Sequence, residues 1–86
     1  MTIKVKFFAY YRTLFGDKEK WIELEAEATA GRLLTILAET PAQLQELSSR
    51  HLVVMINGVN LSSRDGLETV LCDGDVLAVF PLMGGG

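Results

Sequence analysis

Three glycines, Gly84-Gly85-Gly86, close the sequence directly behind an apolar stretch, Val76-Leu77-Ala78-Val79-Phe80. A terminal glycine run is ordinarily a frayed end, but three features argue for chemistry here. The base is anchored by an apolar strand, Pro81 stiffens the exit by fixing its own φ, and glycines put no side chain in the way of another protein's active site. Six extended residues reach up to ~20 Å, enough to enter a partner's channel. A terminal carboxylate, with an ordinary pKa of about 3.5, is ionised and able to attack the α-phosphate of ATP. The resulting acyl-adenylate accepts a sulfur or amine nucleophile. Such chemistry is done on this chain and not by it.

Other constellations are thin. His51 has no spaced His, Cys or carboxylate partner, which marks a surface residue and not a ligand or base. Cys72 has no cationic activator nearby, and Asp73 and Asp75 oppose thiolate formation. Two carboxylates around Gly74 read as an ordinary turn, so no metal site is expected. The closing glycines precede no helix and so form no phosphate loop. No catalytic residue is expected in the chain.

Composition agrees. At 86 residues, with 49% hydrophobic and 22% charged side chains, the chain is one globular domain. Eight Lys and Arg against eleven Asp and Glu leave a net charge of −3, and the cations are scattered, so no nucleic-acid partner is expected. One cysteine excludes an internal disulfide and a thiolate zinc cage, and fits a reducing, cytoplasmic compartment. No apolar run approaches the ~20 residues of a membrane span, and the amino end does not resemble a signal peptide.

Period-two alternation makes Thr2 to Phe8 a half-buried strand with Ile3, Val5 and Phe7 inward. Tyr11, Leu14 and Phe15 before Gly16 predict one short helix. Lys20 to Glu25 reads as the antiparallel return strand, with Ile22 and Leu24 as its core pair. Thr29 is a helix N-cap, and Ala30, Leu33, Leu34, Leu37 and Ala38 form an apolar stripe that ends at Pro41. Ala42 to Ser48 is a weaker helical turn. Leu52 to Ile56 is a strand, Asn57-Gly58 a turn, and Val59 to Leu61 a short strand pairing back. Ser62 to Thr69 is polar loop, Asp73-Gly74 another turn, and Val76 to Phe80 the last strand. The order predicts an α+β roll of the β-grasp type: residues 1–80 as one domain, residues 81–86 as a flexible Gly-rich tail. The mixed sheet has one main helix on one face and its first and last strands adjacent and parallel.

That adjacency brings Phe8 and Phe80 together on the outward face at the base of the tail. Two readings follow: an exposed apolar patch, which marks a partner surface, or a wider core in which Tyr10, Tyr11 or the tail covers the rings.

Phe7-Phe8-Ala9, Arg12, Leu14 and Gly16, then Asn57, Leu71, Asp73-Gly74-Asp75, Phe80-Pro81 and Gly85-Gly86 resemble the small, sulfur-carrier subunit of molybdopterin synthase. The wider group holds the thiamine-pathway sulfur carriers and the ubiquitin-related modifiers. The resemblance spans essentially the whole chain and implies a β-grasp fold. It implies that an E1-like enzyme adenylates Gly86 with ATP and Mg, no cofactor being held stably. A desulfurase or rhodanese-type sulfur donor would then convert the adenylate to a thiocarboxylate. The tail would thread through Gly84 and Gly85 into the large, catalytic synthase subunit and deliver sulfur to cyclic pyranopterin monophosphate. Phe8, Phe80 and Pro81, with Leu61 as a weaker candidate, would form the partner interface. Two features depart from the family: Leu82 stands where a second proline is common, and Gly84 where a small or hydroxylated residue is usual, so the tail is expected to be looser and more oily. Three alternatives stay open: a carrier for another acceptor (cysteine, thiamine thiazole or a tRNA thiouridine), a modifier joined to lysines through Gly86, or a binding module with an inert tail.

Overall fold

The computed structural model describes residues 1–82. Strand β1, Thr2–Phe7, carries the predicted alternation: Ile3, Val5 and Phe7 are fully buried while Lys4 and Lys6 lie on the other face. It pairs antiparallel with β2, Glu19–Glu23, and parallel with the last strand, β5, Val76–Pro81. β5 in turn pairs antiparallel with β3, Leu52–Ile56, which turns back into β4, Val59–Asn60, giving the order β2-β1-β5-β3-β4. The first and last strands are therefore central and parallel, as a β-grasp roll requires. Leu77 and Val79 are fully buried, which sends Val76, Ala78 and Phe80 to the open face by the same alternation.

Three helices follow from local signals. α1, Tyr10–Phe15, stops at Gly16, whose φ of 75° lets its N–H reach back to the Arg12 carbonyl. α2, Ala30–Leu37, starts where the Thr29 hydroxyl accepts the Arg32 N–H, and its Ala30, Leu33, Leu34 and Leu37 join Ile3, Val5 and Phe7 in one core. Gly31 does more than tolerate its place in the first turn. A Cβ there would stand 3.2 Å from the Leu67 carbonyl, so its absence lets the following loop close onto the helix. Pro41 begins an element instead of ending one. α2 already stops at Leu37, and Pro41 opens α3, Pro41–Leu47, behind the Thr40 cap.

The segment after β3 departs most from the pattern. β4 is only two residues long, because the expected strand gives way at Leu61 to a 3₁₀ turn, Leu61–Ser63, and a second, Gly66–Glu68, lies within what reads as polar loop. Thr69 is fully buried, its hydroxyl accepting the Asp65 N–H.

The residues around the Asp73-Gly74 turn form a clasp. Asn57 Nδ2 donates to Asp75 Oδ1 at 2.9 Å, and Asn57 Oδ1 accepts the Val76 N–H at 3.0 Å. Asp75 Oδ2 accepts the Cys72 N–H, and Asp73 Oδ1 accepts the Thr2 N–H. One asparagine thus fastens the β3–β4 turn to the start of β5. Asn57 also carries a φ of 49° beside Gly58 at 84°, the pairing that a tight hairpin of this twist demands. Asn57→Gly keeps the backbone and loses the clasp; Asn57→Ala loses both. The alanine variant is expected to fall about 1–2 kcal/mol below the glycine variant, since left-handed backbone costs that much with a Cβ. Urea denaturation of the two side by side checks this, and equal midpoints would contradict it.

Candidate functional site

The base of the tail is built by β1 and β5 ending together. Phe8 extends the ladder by one bond, its N–H donating to the Val79 carbonyl at 3.0 Å. The chain then leaves the sheet at Ala9, at φ 51° and ψ −127°, with the Tyr11 N–H closing the turn on the Phe8 carbonyl at 3.1 Å. That backbone suits glycine and costs an alanine on the order of 1–3 kcal/mol. The strain falls at the rim of the patch and holds Phe8 outward while α1 swings away. Nothing in the residue type at position 9 signals it.

Phe8 and Phe80 meet edge to face, ring centroids 6.2 Å apart and planes at 88°. With Ala9 and Pro81 they line an entirely apolar hollow of about 330 Å³. Phe8 is 40% exposed. Neither tyrosine lines the hollow: Tyr11 is buried in the core, and Tyr10 stands 48% exposed against it. Neither tyrosine covers the rings, and a half-buried Phe80 stands beside the exposed Phe8; cover by the tail falls on residues outside the described ones. Pro81 continues the strand as Leu52's partner. In β5, Val76 and Leu82 bond toward β3 and Val79 toward β1, so the Pro81 nitrogen falls on the β1 side, past that strand's last residue. Its missing N–H removes no ladder bond. The Leu82 N–H still donates to the His51 carbonyl, at 2.6 Å, so the chain is held in register through position 82.

Leu61 lies elsewhere. It is 6% exposed and belongs to the core, because the chain turns into a 3₁₀ helix there and tucks the side chain under; as an interface candidate it is replaced by Ala9. Gly84, Gly85 and Gly86 lie outside the described residues. His51 is exposed, and Cys72 is an exposed free thiol whose neighbours are committed to the clasp. Among the described residues no group of three His, Cys, Asp or Glu side chains could hold a metal, and no helix is long and apolar enough to cross a membrane.

Tyr11 lies in the core, 2% exposed. Its hydroxyl approaches the Glu46 carbonyl at 3.5 Å, and burial, reinforced by the Glu46 and Tyr10 charges, pushes its pKa above the ordinary value near 10. The unfolded chain therefore releases this proton first, and stability falls as pH rises above about 10, through the folded-state value. Tyr11→Phe is expected to flatten that alkaline decline while changing neutral stability by about 1 kcal/mol or less. Thermal melts across pH 8–11 check the sign; a decline as steep as wild type would assign it to other groups.

A ThiS-family profile matches residues 5–86. The chain belongs to the ThiS family. Its relatives include small archaeal modifier protein 3 of Haloferax volcanii, 33% identical with both chains covered in full. Among solved structures, SAMP1 of Haloferax volcanii superposes with a TM-score of 0.81 at 25% identity over the whole of both chains. A chain from the complex of subunits 1 and 2 of the molybdopterin-converting factor of Helicobacter pylori gives 0.69 at 26%, again over both in full. This ThiS-family chain is thus a ubiquitin-like β-grasp protein of the sulfur-carrier and modifier group, and its apolar hollow lies where the strand hands over to the Gly-rich end.

Proposed function

We propose that this protein is a sulfur carrier whose Gly86 carboxylate is activated by an E1-like enzyme and converted to a thiocarboxylate, supplying sulfur for molybdopterin synthesis. The observation that carries the reading is the apolar Phe8–Phe80 hollow at the base of the tail in a ThiS-family chain. A carboxylate oxygen of Gly86 attacks the α-phosphorus of Mg-ATP and pyrophosphate leaves. The terminal sulfur of a donor persulfide then attacks the acyl carbon and AMP leaves. A thiol cleaves the sulfur–sulfur bond, and the thiocarboxylate remains on Gly86. This chain contributes the docking surface and the substrate carboxyl; the activating enzyme and a large synthase subunit contribute the catalytic groups. The likeness to a molybdopterin-converting factor chain supports the choice of acceptor.

The full-length identity with a small archaeal modifier protein favours a second reading, in which a lysine amine attacks the same acyl carbon and an isopeptide bond forms. The two share every step up to the adenylate. Intact-mass measurement of the untagged protein from its native host, with copurifying partners identified, separates them. Oxygen-to-sulfur exchange at Gly86 beside a large synthase subunit supports the carrier for molybdopterin. Sulfur with another partner moves the acceptor, and Gly86 joined to lysines makes the protein a modifier. A carboxylate unchanged by the host's activating enzyme, donor and Mg-ATP overturns both readings.

A further inference from the structure

The chain is acidic as a whole, yet its charge is divided between the two ends of the sheet. β1 and β5 run parallel and β2 and β3 run against them, so the tail-exit end gathers the residues around Phe8, Pro81, Lys18 and Arg50. Lys18 is fixed there by its carbonyl, which accepts the Phe7 N–H at 2.9 Å, and Arg12 by its Nε, which reaches the Phe7 carbonyl at 3.4 Å. Arg50 precedes His51, whose carbonyl accepts from Leu82, and Lys6 lies two residues below Phe8 on the same open face. Among the described residues none of these four cations makes an ion pair; the three ion pairs use Lys4, Lys20 and Arg32. The carboxylates nearest that end in the chain are Asp17, Glu19, which Lys4 holds, and Glu46 on α3 beside Tyr11. The opposite end carries Glu23, Asp73 and Asp75, with Glu25 and Glu27 just past the end of β2, against the amino terminus and Arg32, which pairs with Glu25.

An apolar hollow at the same end of the sheet as four cations without ion pairs, on a molecule of the opposite net charge, fits one kind of surface. We infer that the partner which receives the tail presents an apolar side chain for the Phe8–Phe80 hollow, flanked by carboxylates that face Lys6, Arg12, Lys18 and Arg50. This rests on the reading of Gly86 as the activated group and adds the chemistry of the surface that does the activating. The acidic far end is repelled from the same carboxylates, so the charge division turns the tail toward the partner before contact. The aromatic pair then supplies the short-range affinity.

The test uses the intact chain and the host's E1-like activating enzyme, reading kcat/KM for AMP formation. From 50 to 500 mM salt, kcat/KM is expected to fall about tenfold or more, with kcat nearly constant. The exposed double variant Arg12→Glu/Lys18→Glu is expected to lower kcat/KM about 10–100-fold through KM and to lose the salt dependence. Glu27→Lys at the far end stays within about twofold of wild type, since that pole takes no part in contact. Wild-type adenylation that ignores both salt and the double reversal overturns this inference alone. So does salt-sensitive binding of a short DNA duplex that the double reversal abolishes while AMP formation is untouched, because the anion would then be nucleic acid. No adenylation of wild type at any salt overturns the reading beneath it, and the inference with it.

Discussion

Removing Gly86 alone is expected to abolish adenylation, lowering kcat/KM for AMP formation by at least about 100-fold, while leaving thermal stability unchanged. The deletion withdraws the carboxylate by up to ~3.5 Å, and a misplacement of even 1 Å at a reacting atom can cost about 100-fold. Among the described residues the fold is complete without it. The last backbone bond of the sheet among those residues runs from Leu82 to the His51 carbonyl, and the core is closed by Leu77 and Val79. Appending one residue after Gly86 displaces the carboxylate in the other direction and is expected to produce the same loss. Matched melting curves with AMP formation measured on all three chains decide the matter. Retained activity in either variant would show that the end of the tail is not the reacting group, and would favour a binding module whose tail is inert.

The central strands were legible because their two faces differ chemically. Ile3, Val5 and Phe7 against Lys4 and Lys6 fix which face of β1 is buried, and burying Leu77 and Val79 forces Phe80 outward beside Phe8. The patch could therefore be placed from sequence, whereas its exposure could not. That depends on Ala9 adopting a glycine-like backbone, which no periodicity signals, as well as on Tyr11 turning into the core with the Leu14 and Phe15 stripe. Pattern failed where polar side chains replace backbone pairing. Asp73 and Asp75 read as a plain turn, but they tie the ends of β1 and β5 through bonds to Thr2, Cys72 and Asn57. These partners are far apart in the chain, and no spacing rule connects them. Leu61 entered the interface only through the resemblance, and it is buried because β4 ends after two residues and the chain turns into a 3₁₀ helix there. The divided charge was equally hidden, since scattered cations acquire a common end only once the strand order is known.

The paired rings lead to the second large effect. Phe8→Ala/Phe80→Ala is expected to keep the fold and to lower kcat/KM for adenylation by about 30–1000-fold, the range for aromatic anchors at the centre of an interface, roughly 2–4 kcal/mol. Folding survives because Phe8 is 40% exposed and Phe80 lies on the open face, so truncation opens no internal cavity. By contrast Phe7→Ala, one residue away and fully buried, should cost about 3–5 kcal/mol and unfold much of so small a domain. The two single patch variants are expected to be non-additive, because rings 6.2 Å apart shape one hollow and losing either spoils it for the other. Each single change should therefore carry more than half of the double variant's loss. A double variant within about threefold of wild type would remove the patch from the interface and leave the tail to be recognised alone. Exactly additive losses would keep both rings in the interface but assign them to separate pockets of the partner, which the shared apolar lining of Phe8, Ala9, Phe80 and Pro81 argues against.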